Sequence, residues 1–345
     1  MKKLFTIAVL TVVILGSILF MLYKDASKII EHPFIVDTDK VEVEVVSGDS
    51  LNSVIEKLYS QKKIGNSFLI KWYIKNKGLS SNIKPGIYKL SSNSSIEAFV
   101  KALDDSKYNE NVIKVTIPEG YDVEHIAALL QSKALLSKDE FIKSCKEYKL
   151  PSYIVKDSKR KYALEGYLFP DTYEIVKGTS GKQIIDIMLK NFNSIIKQIE
   201  TENTIQLSDM DKVITMASIV EREAEVQSER SIVASVFYNR IKKNMKLQSC
   251  ATLEYAMGIH KTIYSDKDTT TISPYNTYYV TGMPAGPICN PGKSSIIAAL
   301  KPSATKYLYF VAKFDGSGSH LFSENETQFY KDKKLSEANF AKLGK

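Results

Sequence analysis

Apolar and polar positions follow several different spacings along this chain, and each spacing predicts its own kind of element. Residues Leu4 to Tyr23 are uncharged, preceded by Lys2 and Lys3 and closed by Lys24, Asp25 and Lys28. About twenty apolar residues match a bilayer core crossed as a helix. The run is long for the apolar stretch of a secretory leader, and no small-x-small cleavage site follows it. An uncleaved transmembrane anchor over 4–23 is therefore expected, with a cytoplasmic tail at 1–3 and a polar stalk over 24–40 carrying Pro33. Lysines at both ends leave the positive-inside count undecided. A single N-terminal anchor ahead of a large domain points to a single-pass cell-membrane protein, with the N-terminus cytoplasmic and the large domain extracytoplasmic.

Val41 to Val46 alternates as a strand with one buried face. Ser47-Gly48-Asp49-Ser50 makes a turn and a helix cap, and Leu51, Val54, Ile55 and Leu58 then carry helical spacing. A second helix runs through Phe68, Leu69, Trp72 and Tyr73. Pro85-Gly86 turns into a strand from Ile87 to Leu90, and Ser95 caps a helix through Phe99, Val100 and Leu103. These elements make a small α+β module over 41–105. A connecting α+β region over 106–204 begins with a strand from Val112 to Ile117, then Pro118-Glu119-Gly120-Tyr121-Asp122 and a helix through Ile126, Leu129 and Leu130. Residues 139–163 read as mostly helical and lysine-rich with a break at Pro151. An aromatic loop from Leu164 to Glu174 and a helix over 181–200 complete the region. In that loop Tyr167, Phe169 and Tyr173, with a carboxylate, suit two roles: lining a sugar cleft, or packing as a hinge on the core.

A larger mixed α/β domain is expected over 205–345. Its central stretch is Thr215-Met216-Ala217-Ser218-Ile219-Val220-Glu221-Arg222-Glu223, a helix capped near Ser208 and Asp211 and apolar on more than one face, hence buried. On a helix Glu221 stands over Ser218, Ala217 and Ile214, surroundings that raise a carboxyl pKa and suit proton delivery. On local pattern alone, an acidic helix end is commonly just solvated. Ser228-Glu229-Arg230 opens a further helix, Leu247 to Thr252 is a polar turn, and Leu253 to Met257 is a short helix. Ser273 to Tyr278 and Gly282 to Gly292 form a loop rich in Pro, Gly, Asn and Tyr, of the kind that carries function. A hairpin over 307–322 and a polar helix end the chain.

Composition narrows the chemistry. With 345 residues, 44% apolar and 25% charged, the chain supports two or three folded domains. A net charge of +8 suits an anionic surface or polymer. The lysines are dispersed and no nucleic-acid-binding pattern is present, which argues against nucleic acid. Gly286 to Ser294 fails as a phosphate loop in spacing and in its prolines, the four histidines lack metal-ligand spacing, and no Gly-x-Ser-x-Gly elbow exists. No metal or cofactor is expected. Cys145, Cys250 and Cys289 make no disulfide framework; the last two either pair or stay free.

The strings ASIVEREAEVQSERSIVASVFYNRI, LQSCAT, YNTY, GMPAGPICNPG, YLYFVA and EGYLFPDTYEI together resemble the YceG-like family of membrane-anchored endolytic murein transglycosylases. The resemblance implies cleavage of the β-1,4 bond between N-acetylmuramic acid and N-acetylglucosamine without water, leaving a 1,6-anhydro end and limiting nascent strand length. It implies Glu221 as the acid and then base, with Glu223 supporting through a hydrogen bond or ion pair, or the two roles exchanged. Gln248, Tyr275, Asn276, Thr277, Tyr278 and Asn290 fall on the family's cleft motifs, and Pro284, Gly286 and Pro287 shape their loop. The implied partners are peptidoglycan glycan strands, the cytoplasmic membrane and cell-wall synthesis proteins. Cys250-Ala251 stands where relatives can carry Asp-Pro. Strand, GDS turn and helix in the module over 41–105 also resemble a LysM-like glycan-binding module; a purely structural subdomain is the alternative. The competing class for the whole chain is a non-catalytic, membrane-anchored scaffold. A wall peptidase or amidase lacks its metal ligands or nucleophile here.

Overall fold

The computed structural model describes residues 2–46, 48–79, 83, 85–105, 109–204, 209–261 and 264–342, with backbone only over 2–12 and at 22. Its contacts gather into two units, Met1–Lys114 with Glu174–Lys177, and Val115–Tyr173 with Gly178–Lys345. The 106–204 region expected to connect two domains thus falls mostly inside the second unit.

In the first unit, α1 (Lys2–Glu31) runs beyond the apolar stretch and stops before Pro33, which disfavours helical backbone at the residue preceding it. Residues 24–31, expected within a stalk, are therefore helical. Ile29, Ile30 and Val36 pack against the core, and Phe34 is part of it, its ring meeting Phe99 edge-on at 5.5 Å. The side chains of 4–12 and of Leu22, much of the expected anchor, lie outside the described residues. Among those described, no helix is long and apolar enough to cross a membrane.

Strand β1 (Lys40–Val45) buries Val41, Val43 and Val45 and exposes the residues between them, as its alternation predicts. Helix α2 (Leu51–Ser60) starts at Ser50, whose side chain accepts from the Ser53 N–H while Ser53 reaches back to the Ser50 N–H. Such a reciprocal cap satisfies two otherwise orphaned donors. Ser47 of the expected turn lies outside the described residues. Helix α3 (Ser67–Asn76) buries Ile70 and Ile74 and leaves Phe68 and Trp72 exposed. Both pairs have i, i+4 spacing, so the sequence held two competing stripes, and the one expected inside faces out. Strand β2 (Gly86–Ser91) pairs antiparallel with β1, Val43 opposite Tyr88, and α4 (Ile96–Asp104), capped by Ser95, adds Phe99, Val100 and Leu103 to the core. The order is strand, helix, helix, strand, helix.

Strand β3 (Val112–Thr116) leads into the second unit; α5 (Val123–Ser132) and α6 (Lys138–Glu147) follow. Residues 148–171, part of which was expected to be helical, form turns. The Arg160 side chain, 3% exposed, is drawn out of any helix by a bidentate pair with Asp211 at 2.8 and 2.6 Å and by donation to the Ala285 carbonyl. Strand β4 (Thr172–Val176) pairs with β3. Helix α7 (Gly181–Asn203) precedes α8 (Met210–Glu223), whose residues Ile214 to Val220 are all buried. Asp209 caps α8 through the Lys212 N–H; expected cap Ser208 lies outside the described residues, and Asp211 is spent on Arg160 and Tyr167.

A single 3-10 turn at Gln227–Glu229 leads to α9 (Arg230–Lys242), followed by α10 (Cys250–Met257), the short α11 (Asp266–Thr269) and α12 (Lys293–Leu300). Helix α8 packs on α9, α10 and α12, so its C-terminal end is held from three sides. The hairpin of β5 (Tyr309–Ala312) and β6 (His320–Ser323) and the closing α13 (Glu326–Lys342) complete an α+β chain.

Candidate active site

The two glutamates at the end of α8 meet opposite surroundings. Glu221 has a side chain only 5% exposed, and both its oxygens are taken: Oε1 by Arg230 Nη2 at 2.9 Å, Oε2 by the Gly292 N–H at 2.9 Å. Arg230 is itself 12% exposed and also faces Glu119 at 3.6 Å. Glycine at 292 leaves room for this cluster, because a Cβ there would fall on the Glu119 carboxylate and displace it. Burial and the Glu221 charge push the Glu119 carboxyl up. The structure thus gives Glu221 an arginine and a backbone N–H as partners, where local helical spacing pointed to an apolar face. The chain beyond the helix supplies what local spacing cannot show: an arginine nine residues on and a backbone N–H from the start of α12.

Glu223 is half-buried at the last residue of α8. Its Oε1 accepts from the Ser249 hydroxyl and from the Ala251 N–H at 3.3 Å, and its Oε2 makes no hydrogen bond among the described residues. Ser249 is the N-cap of α10, so Glu223 is aligned by the start of that helix. The turn before it is fixed by Arg240, 8% exposed, which donates to the carbonyls of Lys246, Leu247 and Leu308 and to Gln248 Oε1. Burial lowers the pKa of this guanidinium, which has carbonyls and no carboxylate for partners. Gln248 takes a left-handed backbone, φ 52°, and stays exposed.

The other expected site residues divide into two groups. Gln248 directly precedes Ser249, the partner of Glu223, and Tyr278 feels the Glu223 charge: its hydroxyl lies 3.2 Å from Cys250 Sγ, and burial raises its pKa. Tyr275, Asn276, Thr277 and Asn290 are buried and hold backbone in place. Tyr275 Oη accepts from the Lys161 N–H; the Asn276 amide donates to the Thr269 and Thr271 carbonyls. Thr277 Oγ1 accepts from the Ser249 N–H and meets Thr252, and Asn290 joins the Tyr121 carbonyl to the Leu168 N–H. Of the two roles expected of these four, supporting the site or binding substrate, their buried hydrogen bonds fit the supporting one. Pro284, Gly286 and Pro287 are buried loop formers. Gly166, at φ +90°, permits the approach of Pro287, whose ring would sit 2.6 Å from a Cβ there. Tyr167, Phe169 and Tyr173 take the packing role: all are buried, and Tyr167 donates to Asp211. Cys145, Cys250 and Cys289 are free thiols.

Sequence reasoning missed Glu165 as an organiser. Fully buried, it accepts from the Val123 N–H, the Tyr255 hydroxyl and Asn290 Nδ2, tying together α5, α10 and the loop before α12. Burial and the Asp122 charge push its carboxyl up to about 8. An acidic residue inside an aromatic Gly-Pro loop was the available signal. Arg160, Arg230 and Arg240 were likewise missed, though each proves to be a buried or half-buried organiser. Beside α8 opens a cavity of about 430 Å3, lined by Gly120, Arg222, Ala251, Glu254, Tyr255 and Ile288 among others. Ala251 lines it and also donates its N–H to Glu223.

A carboxylate with one free oxygen, aligned by a helix start and held by a residue of the cavity wall, is an arrangement for moving a proton. Known proteins resemble this chain along most of its length. A protein of Bacillus subtilis (strain 168) named endolytic murein transglycosylase is 35% identical over 312 residues, covering 87% of this chain and 86% of that protein. One of the same name from Streptococcus pneumoniae serotype 2 (strain D39) is 32% identical over 302 residues, covering 79% of this chain and 54% of that longer protein. The crystal structure of a yceG-like protein from Listeria monocytogenes superposes with a TM-score of 0.58 at 36% identity, covering 86% of this chain and 99% of that one. The YceG-like family model spans residues 43–334 and takes in both glutamates of α8, the turn at Gln248 and the loop before α12, so the chain belongs to the YceG-like family.

Proposed function

We propose that this chain is an endolytic murein transglycosylase with Glu223 as its proton carrier. The observation behind the assignment is that Glu223 has one carboxylate oxygen without a hydrogen bond among the described residues, its other oxygen held by Ala251 of the cavity wall, whereas both oxygens of Glu221 are engaged. The protonated Glu223 gives its proton to the glycosidic oxygen as the bond from C1 of N-acetylmuramic acid breaks. The C6 hydroxyl of the same sugar attacks C1 and returns its proton to Glu223, which regenerates the acid and closes the 1,6-anhydro ring. One carboxylate suffices because the nucleophile belongs to the substrate, unlike the two-carboxylate arrangement of most glycosidases. Ser249 and the Ala251 N–H orient the carboxylate, and Tyr278 and Gln248 stand where they can meet the sugar.

The products test this reading. The chain incubated with uncrosslinked glycan strands should release fragments one water lighter than hydrolysis products, read by mass spectrometry. Reducing ends would make it a hydrolase, and intact strands that still bind would return the scaffold reading.

The apolar run over 4–23 is proposed as a transmembrane anchor, with the rest of the chain extracytoplasmic beside wall synthesis proteins. In support, the described side chains Val13, Ile14, Leu15, Ile18, Leu19 and Phe20 are all exposed on α1. Deleting residues 2–23 should move the protein from the membrane pellet to the supernatant; a deletion product still pelleting with washed membranes would overturn the anchor. The strand, helix, helix, strand order of β1 to β2 supports a LysM-like, glycan-holding role for the first unit.

A further inference from the structure

The cavity beside α8 has walls unlike those of a sugar cleft. Sugar rings are held by aromatic faces and neutral hydrogen-bonding groups, whereas this cavity carries Asp122, Glu124 and Glu254 against Lys138, Lys161 and Arg222. Three negative and three positive charges cancel, and their pairing leaves them accessible. Lys138 meets Glu124 at 2.8 Å and Arg222 meets Glu254 at 2.7 Å, while Lys161 stands 3.5 Å from Glu124 over the rings of Tyr162 and Tyr255. The side chains of Lys138 and Lys161 are 42% and 43% exposed. Burial pushes the Glu124 carboxyl up, but hydrogen bonds from Lys138 and Tyr162 outweigh it and hold it at about 2.

Such a wall fits a flexible ligand bearing carboxylates and an ammonium group together, since each end finds an opposite charge while the net field is small. Murein offers one such group: the peptide stem, joined through a lactyl ether to the muramic ring at C3, two bonds from the C1 that is cut. A ring placed with its C1 at Glu223 therefore starts its stem close to Ala251, which belongs to both the carboxylate's shell and the cavity wall. Resting on the transglycosylase reading above, we propose that this cavity receives the peptide stem of the muramoyl residue at the cut. Stem carboxylates turn toward Lys161 and Lys138, and the stem amine turns toward Asp122 and Glu254.

The experiment compares two substrates on the full chain in detergent micelles: uncrosslinked strands with their peptides, and the same strands stripped of peptides by an amidase. The wild type should cut the peptide-bearing strands about tenfold faster, the worth of one charge-assisted contact. Lys161→Gln, and independently Lys138→Gln, should bring the ratio of the two rates toward one. A ratio has the advantage that partial misfolding lowers both rates and leaves it unmoved. If the wild type cuts both strands equally to anhydro ends, or both variants keep its ratio, the stem site is overturned and the transglycosylase stands. If neither strand is cut, both readings fall.

Discussion

Glu223→Gln should lower the cleavage rate on glycan strands by about a thousandfold, within the usual contribution of a positioned general acid and base. The amide keeps the size of the carboxyl and can still accept from Ser249 and the Ala251 N–H, so the variant should fold and bind as the parent does. What it loses is the proton that leaves with the glycosidic oxygen and the base that recovers it. The rate is to be read from anhydro ends per unit time at saturating strands, beside Glu221→Gln prepared the same way. A Glu223→Gln enzyme of near-normal rate would remove the assignment, and if Glu221→Gln alone were dead with an unchanged fold, the sequence expectation would be restored. A scaffold would show no dependence on either.

The second large effect falls on stability. Glu221→Ala leaves the Arg230 guanidinium, 12% exposed, and the Gly292 N–H facing a void where a carboxylate stood. Removing one partner of a buried ion pair costs about 3–5 kcal/mol, because the surviving charge stays desolvated. For a unit of this size that is roughly a 10 °C fall in Tm. Arg230 keeps only the partly exposed Glu119 at 3.6 Å and its Ser294 contact, and its Nε is buried without a partner. Replacing both members together, Glu221→Leu with Arg230→Met, should return most of the loss, since a matched apolar pair of similar volume is often neutral. Thermal unfolding of the parent, the single variant and the double variant separates these outcomes. A single variant that melts within about 2 °C of the parent would mean that the pair is solvated and contributes little.

How legible this was in the sequence depended on the range of the interaction. Alternation in β1, the Ser50 and Ser95 caps and the apolar run of α8 act over a few residues, and they fold as read. The proposed choice of Glu223 over Glu221 is not local. It is made by Arg230 and Gly292 on one side and by Ser249 and Ala251 on the other, partners up to 71 residues away that no helical spacing reveals. The same distance explains why the sequence left open whether Tyr275, Asn276, Thr277 and Asn290 touch substrate or support the site. Polar residues in a Gly-Pro loop look available until the buried backbone that they satisfy is seen. The helix missing from 148–163 has a like cause, since Arg160 gains more from Asp211 and the Ala285 carbonyl than a short lysine-rich helix would offer.

Helix α1 has a mechanical meaning. Because it is continuous from Lys2 to Glu31 and locks into the first unit through Ile29 and Ile30, the unit stands on a rod and not on a tether. With 4–23 in the bilayer, the remaining turns hold it about 12 Å above the boundary, at 1.5 Å per residue. Each residue inserted between Lys24 and Lys28 would lift that unit by about 1.5 Å and swing it by about 100° around the membrane normal. Under the proposed anchor, the spacing of those few residues therefore sets the height of the first unit and which of its faces lies over a given side of the helix.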